Sequence, residues 1–426
     1  KYRDLFIRTK QALDKVVEND AEVRKEFEDK EIDTVNYAKK LLGQIVFLYF
    51  LQKKGWFGVP RREDWGEGSK QFLRDLFESK DKYKNFYNDI LEHLFYDALR
   101  NDRSHDDHYY GRFDCKIPFL NGGLFDPVGD YDWVKTDIKL PNGLFSNSNL
   151  TKEGDIGDGI LDIFDRYNFT VKEDEPFEKE VAIDPELLGK AYEKFNAIRP
   201  DNFEEFLKAL KSGRKGDETK FNKKFGVYYT PREIVHYMCQ QSLINYLHTQ
   251  LNHGVELRQK LGNDQTDAFG NRVKKGQLDL EKKVSNKVSI PKADIETLIL
   301  HGEQYMENEA RVESEGETNT YQYIIPETIR NNAKLMDQKL ADITVCDPAV
   351  GSGAFPVGMM NEIVKARSIL SIYFEGERDV SEIKRECIEN SLYGVDIMPS
   401  AVDICQLRFW LSLIVDEPVS YTHLTL

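Results

Sequence analysis

The run Asp347-Pro348-Ala349-Val350-Gly351-Ser352-Gly353-Ala354-Phe355 gathers residue types that can hold a nucleoside. Gly351 and Gly353 bring no side chain to a point where the backbone must turn tightly and a ligand can come close. A helix opening at about Ala354 offers unpaired amide donors in its first turn. Further on, residues 391–397 read as a short buried strand that leads into Asp396, whose carboxylate can accept both hydroxyls of a ribose. Each feature has an ordinary alternative. A glycine turn can simply reverse the chain, and Asp396 can cap a helix starting near Pro399. Together they favour a nucleoside ligand.

The spacing is GxGxF, not the GxGxxG of dinucleotide sites, and no GxxxxGK[ST] occurs, so nicotinamide dinucleotides and ATP lose ground. Asp347 and Asp396 lie 49 positions apart, against about 20 in a minimal dinucleotide unit, which leaves room for an extra helix at 381–390.

The elements that must position these residues follow from pattern. Residues 343–346 form a short β-prone run, so the glycine loop joins a strand to a helix at about 354–370. From Pro399, Val402, Leu407, Trp410, Leu411 and Ile414 fall mostly on one side of a helix, as core packing requires. Near the start of the chain, Asp33 or Thr34 can cap a helix through Leu41, Ile45, Leu48 and Phe50, with Gly55 just beyond its end. Helical pattern recurs at about 71–78, 87–99 and 160–167. Residues 101–158 are broken by glycine and proline and read as an irregular connector. Asp201 with Glu204 resembles a capping box for a helix to about Lys211. Helix is expected again at 293–307 and, opened by Pro326, to about Leu340, with a strand-like run at 321–325. The polar stretch at about 248–290 reads as an insertion.

With 426 residues the chain has room for about two or three domains. The reading is a mainly helical region over 1–190 with an irregular connector, followed by an α/β domain over 191–426. A net charge of −15 excludes a wholly basic nucleic-acid coat but not one basic groove. Five cysteines, odd in number and without a CxxC pair, suit a reducing interior, so a cytoplasmic location is expected. The longest apolar stretch, 41–51, is too short for the roughly 20 residues of a membrane span. The chain opens on Lys1, and its last six residues do not resemble a domain's finish, so a piece of a longer polypeptide is expected.

These residues resemble a known family, the adenine-specific DNA methyltransferases of type IIG restriction-modification enzymes and related phage-defence methylases. The resemblance rests on Phe225-Gly226-Val227-Tyr228-Tyr229-Thr230-Pro231, on DPAVGSGAF, and on GVDI followed by AVDICQLRFWLSL, in the family's order. It extends to LYFLQKKGW at 48–56, PFLNGGLF at 118–125 and residues 162–187, which are similar to the helical region that joins nuclease to methylase in such enzymes. It implies an incomplete Rossmann-like, S-adenosylmethionine-dependent methyltransferase domain behind a mainly α-helical domain. It further implies methyl transfer to the exocyclic amine of adenine in double-stranded DNA. By position, Tyr229, Thr230 and Pro231 would touch the methionine end, Asp347, Ala349, Gly351 and Gly353 would line the cofactor, and Asp396 with Ile397 would hold ribose and adenine. Residues 228–231 read equally well as a proline-initiated helix start.

The family's catalytic Asn-Pro-Pro-aromatic loop, which grips the flipped adenine, occurs nowhere in the sequence. The chain is therefore expected to bind cofactor without methylating DNA by itself. A non-catalytic DNA-binding or assembly subunit on a methylase-like scaffold is the competing reading. A methyltransferase for RNA, protein or a small molecule shares the glycine loop but not the long front region. Seven basic residues against two acidic ones between Lys208 and Lys224 can touch phosphates, or simply be a solvated loop. Glu28-Asp29-Lys30 has the ExK form of a nuclease but reads as surface charge. His105-Asp106-Asp107-His108 reads as a solvated turn and not a metal site, so no metal is expected.

Overall fold

The computed structural model describes residues 1–426 except 122, 152, 170–181, 184–188, 190–196, 212–223, 225–229, 264–288, 316–324, 375, 377, 417–423 and 426. In chain order the α-helices used below are α1 (Tyr2–Asn19), α2 (Ala21–Asp29), α3 (Thr34–Lys53), α4 (Phe72–Glu78), α5 (Asn142–Phe145), α6 (Ile160–Phe164), α7 (Phe203–Lys211), α8 (Arg232–Asn263), α9 (Lys292–Glu315), α10 (Glu327–Asn331), α11 (Ala333–Ala341), α12 (Ala354–Ser371), α13 (Val380–Asn390) and α14 (Pro399–Asp416). Strands are short: β1 (Tyr109–Tyr110), β2 (Cys115–Lys116), β3 (Leu120–Asn121), β4 (Asn168–Phe169), β5 (Ala182–Ile183), β6 (Val345–Asp347), β7 (Leu392–Gly394) and β8 (Leu424–Thr425). No described helix is long and apolar enough to cross a membrane.

Contacts divide the chain into two compact units. The first holds Lys1–Tyr229, Ala349–Gly353 and Asp396–Leu426, and the second holds Thr230–Pro348 and Ala354–Val395.

In the first unit the centre is α3. Asp33 caps it by accepting from the Asn36 amide at 2.7 Å, and Gly55, at φ +71°, ends it in the left-handed conformation that a glycine adopts freely. Helix α3 is buried on every side from Val35 to Gln52, as an all-round apolar helix must be. It packs against α1, which contributes Leu5, Phe6 and Leu13, and against α14, which contributes Leu407, Trp410 and Leu411. Residues 123–125 are tied to it: Gln44 donates to the Leu124 carbonyl at 2.7 Å, Lys40 to that of Gly123 at 3.0 Å, and Phe125 lies between Phe47 and Phe95.

Residues 87–99 are helical as expected, but two stretches, Tyr87–Leu91 and Leu94–Ala98, take the wider π form. That form often accompanies special side-chain demands, and here Glu92 sits between the two stretches, almost wholly buried. Tyr131 donates to Glu92 Oε1, Tyr37 donates to Tyr131 at 3.0 Å, and the Tyr37 and Tyr87 hydroxyls lie 2.6 Å apart. Burial raises the Glu92 carboxyl well above its ordinary range, the Tyr131 bond opposes that rise, and the charges of Asp137 and Asp89 add to it.

Two local expectations are corrected, and a third, the surface charge at 28–30, agrees with the structure. The box before α7 is made by Asn202, whose side chain accepts from the Arg199 amide at 2.7 Å, and not by Asp201 with Glu204. His108 is buried edge-on against Trp65 instead of solvated, because a left-handed turn at Asp107 and His108 folds it inward. Glu28, Asp29 and Lys30 stand exposed at the end of α2.

The second unit is built around α12, which packs against α8, α9, α11 and α13. Arg367 of α12 pairs with Asp337 of α11 at 2.9 Å and with Glu386 of α13 at 3.0 Å. Helix α8 runs to Asn263 and so carries regular structure well into the stretch expected to be an insertion; Leu247 and Leu251 anchor its middle in the core. The Pro326 helix breaks at Asn332 into α10 and α11. All but Ile325 of the strand-like run at 321–325 lies outside the described residues, as does most of the basic run between 208 and 224.

Strands β6 and β7 pair in parallel, Val345 with Leu392, Cys346 with Tyr393 and Asp347 with Gly394. A parallel pair needs a long crossover, and α12 and α13 supply it.

Candidate functional site

In the second unit, the parallel pair ends on Asp347 and Gly394, and the Val395 amide extends it by donating to the Asp347 carbonyl at 2.9 Å. Strand-end residues are thus in register where the chain leaves both strands. Thr230 and Pro231, also in this unit, open α8: the amides of Ile234 and Val235 donate to the Pro231 carbonyl at 3.0 and 3.1 Å. Their geometry is that of a helix start. Tyr229 lies outside the described residues. At the same end of α8, His236 Nδ1 is 2.7 Å from Glu362 Oε1 of α12, and Gln240 donates to the same oxygen at 3.2 Å.

In the first unit, the loop Ala349–Gly353 meets the segment that leads into α14. The Gly351 amide donates to Asp396 Oδ2 at 2.9 Å, and the Met398 amide donates to Asp396 Oδ1 at 2.8 Å. The structure therefore brings Gly351 and Asp396 together, and the carboxylate also caps the segment ahead of Pro399. Ala349 is exposed, and Ile397 is 87% exposed. Gly351 has φ +53° and Gly353 φ +82°, and the Gly353 amide closes the turn on the Val350 carbonyl at 2.9 Å.

Gly353 is fixed by contact as well as by dihedral. A Cβ there would stand 2.7 Å from Cys405 Sγ and 3.2 Å from Cys405 Cα on α14. We expect Gly353→Ala to lower the stability of the chain by roughly 2–4 kcal/mol, from left-handed strain plus overpacking. Urea unfolding checks this; a midpoint unchanged from the parent protein would refute it.

Two charged residues of α14 were not singled out from the sequence. Arg408, 4% exposed, donates through Nη1 to the Ser352 carbonyl at 3.1 Å. Asp403 has its carboxyl raised by burial, opposed by the charge of Lys40 and reinforced by that of Asp126. A usable signal did exist, since Arg408 is the only charged residue between Asp403 and Asp416 in an otherwise apolar helix. Among the described residues no group of three His, Cys, Asp or Glu side chains is placed to hold a metal ion.

The chain is 26% identical over 393 residues to a protein of Methanocaldococcus jannaschii provisionally named type II restriction enzyme and methyltransferase. That alignment takes in 90% of this chain and 25% of the relative, so the chain spans about a quarter of the relative's length. No family model and no solved structure matches the chain.

Proposed function

We propose that this chain is the cofactor-binding front part of a DNA adenine methyltransferase belonging to a restriction-modification enzyme of the type IIG kind. In this reading an incomplete Rossmann-like domain follows a mainly helical region. The observation that carries the reading is the Gly351 amide closing on the Asp396 carboxylate. It joins the glycine loop to the acid that the sequence assigns to a ribose. The similarity to a relative named for restriction and methyl transfer supports the same direction.

The residues present fit S-adenosylmethionine. A carboxylate offers about four lone-pair sites, so Asp396 keeps acceptor capacity for ribose hydroxyls beyond its two amide donors. Gly351 and Gly353 present no side chain, and Ile397 presents exposed apolar surface for adenine. Tyr229, Thr230 and Pro231 would serve the methionine end, with Asp347 and Ala349 beside the cofactor. When bound, the cofactor supplies an electrophilic methyl group on a sulfonium that leaves as a neutral thioether. The chain's own task is then binding and orientation. Alignment of the adenine amine, in DNA opened by base flipping, belongs to an Asn-Pro-Pro-aromatic loop that this sequence does not contain.

Titration calorimetry of the whole chain with S-adenosylmethionine tests the reading, and we expect saturable one-site binding without methyl incorporation into adenine-containing duplex DNA. Absence of binding would overturn it in favour of a non-catalytic scaffold that binds DNA or assembles with partners. The engagement of both Asp396 oxygens by backbone amides is the observation that favours that second reading. Methyl incorporation by the chain alone would overturn the division of labour.

A further inference from the structure

A guanidinium that is 4% exposed in an apolar helix is expensive to bury, and such a group is tolerated when it is well paired. Arg408 is not fully paired. Its Nη1 binds the Ser352 carbonyl, but its Nε and the Ser352 hydroxyl, both buried, have no partner among the described residues. Buried polar atoms left open in this way call for an explanation other than stability.

The explanation lies in what the guanidinium holds. Asp396 fixes the Gly351 amide, and Arg408 fixes the Ser352 carbonyl, with one peptide between them. The peptides on either side of the Gly351–Ser352 link are thus gripped from one helix and its lead-in, and that helix rests on α3. We infer that Arg408 is a positioning residue that sets the backbone of the glycine loop, with no contact to substrate of its own. The functional half of this inference deepens the cofactor reading and rests on it.

Arg408→Met tests it, because methionine fills similar volume without charge. Hydrogen exchange of the Gly351 and Gly353 amides in the ligand-free protein is the readout, alongside the melting temperature and the dissociation constant for S-adenosylmethionine. We expect the melting temperature to be unchanged or raised, since replacing a buried charge by an apolar group is often neutral or stabilising. The two loop amides should exchange about 10-fold faster while those of α3 do not change. Binding should weaken about 10-fold, the size expected for one lost charge-assisted hydrogen bond. Arg408→Lys, which keeps a donor, should restore part of both effects.

Loop exchange unchanged in Arg408→Met would overturn the inference. So would a melting temperature far below that of the parent with α3 and loop amides accelerating together, because Arg408 would then be a general structural residue. Faster loop exchange in a chain whose parent binds no S-adenosylmethionine would uphold Arg408 as the loop's anchor and overturn the cofactor reading instead. If Arg408→Met fails to fold, the same exchange measurement on Arg408→Lys decides.

Discussion

Asp396→Ala is expected to remove measurable S-adenosylmethionine binding, a loss of roughly 100-fold or more in affinity. Three interactions go at once: the Gly351 amide loses its acceptor, the Met398 amide loses its cap, and the proposed ribose contacts disappear. A hydrogen bond to a charged group contributes about 1.5–3 kcal/mol, and each 1.4 kcal/mol is tenfold in affinity. Two such contacts to a ligand therefore account for the stated factor without help from the loop. Asp396→Asn keeps one oxygen acceptor and should fall between the parent and the alanine variant. Calorimetry decides: an alanine variant that binds within threefold of the parent would mean the carboxylate only holds the chain.

The second large effect is expected at Glu92, far from the loop in sequence and unrelated to any ligand. Glu92→Gln should stabilise the chain at neutral pH and flatten its stability against pH. The sign follows from the direction of the shift. Burial raises the folded-state value of the carboxyl above 4.5, its ordinary value, so the stability associated with the neutral form is complete below about that pH. It is then lost as the pH climbs through the raised folded-state value, at up to about 1.4 kcal/mol for each pH unit. Glutamine keeps the oxygen that accepts from Tyr131 and removes the ionisation. Urea midpoints for parent and variant at pH 5 and pH 8 should differ more at pH 8. Parallel profiles would show that the carboxyl is not held neutral by its surroundings.

These two sites differ in how well the sequence announced them. Asp396 stood at a strand end opposite a glycine loop, a local pattern that a reader can match to chemistry, and its bond to Gly351 joins the two motifs. Glu92 announced nothing. A glutamate in a helical run reads as solvent-facing, and its partner Tyr131, and Tyr37 behind it, come from separate segments that meet only in the folded chain. The same contrast holds for the elements. Helix α3 was legible because its Asp33 cap, its apolar run and Gly55 all lie in or directly beside it in sequence. The extent of α8 was not, since its polar second half carries no period that would separate it from a loop. The burial of His108 depends on two residues in left-handed conformations, which no side-chain pattern encodes. Arg408 lay between these extremes, conspicuous as a lone charge but silent about what it would touch.

The packing of α14 against α3 also sets a clock for the ribosome. Helix α3 ends at Lys53 and α14 begins at Pro399, so the helix that covers one side of α3 is synthesised about 350 residues later. At roughly 5–20 residues per second that interval lasts about 20–70 s. For all of that time the central helix of the first unit, built to be buried on every side, stands in the cell with one side bare. A nascent chain of this kind is a natural client for chaperones that shield apolar surface, and slowing translation lengthens the exposure where it would ease folding for a unit closed by neighbours in sequence.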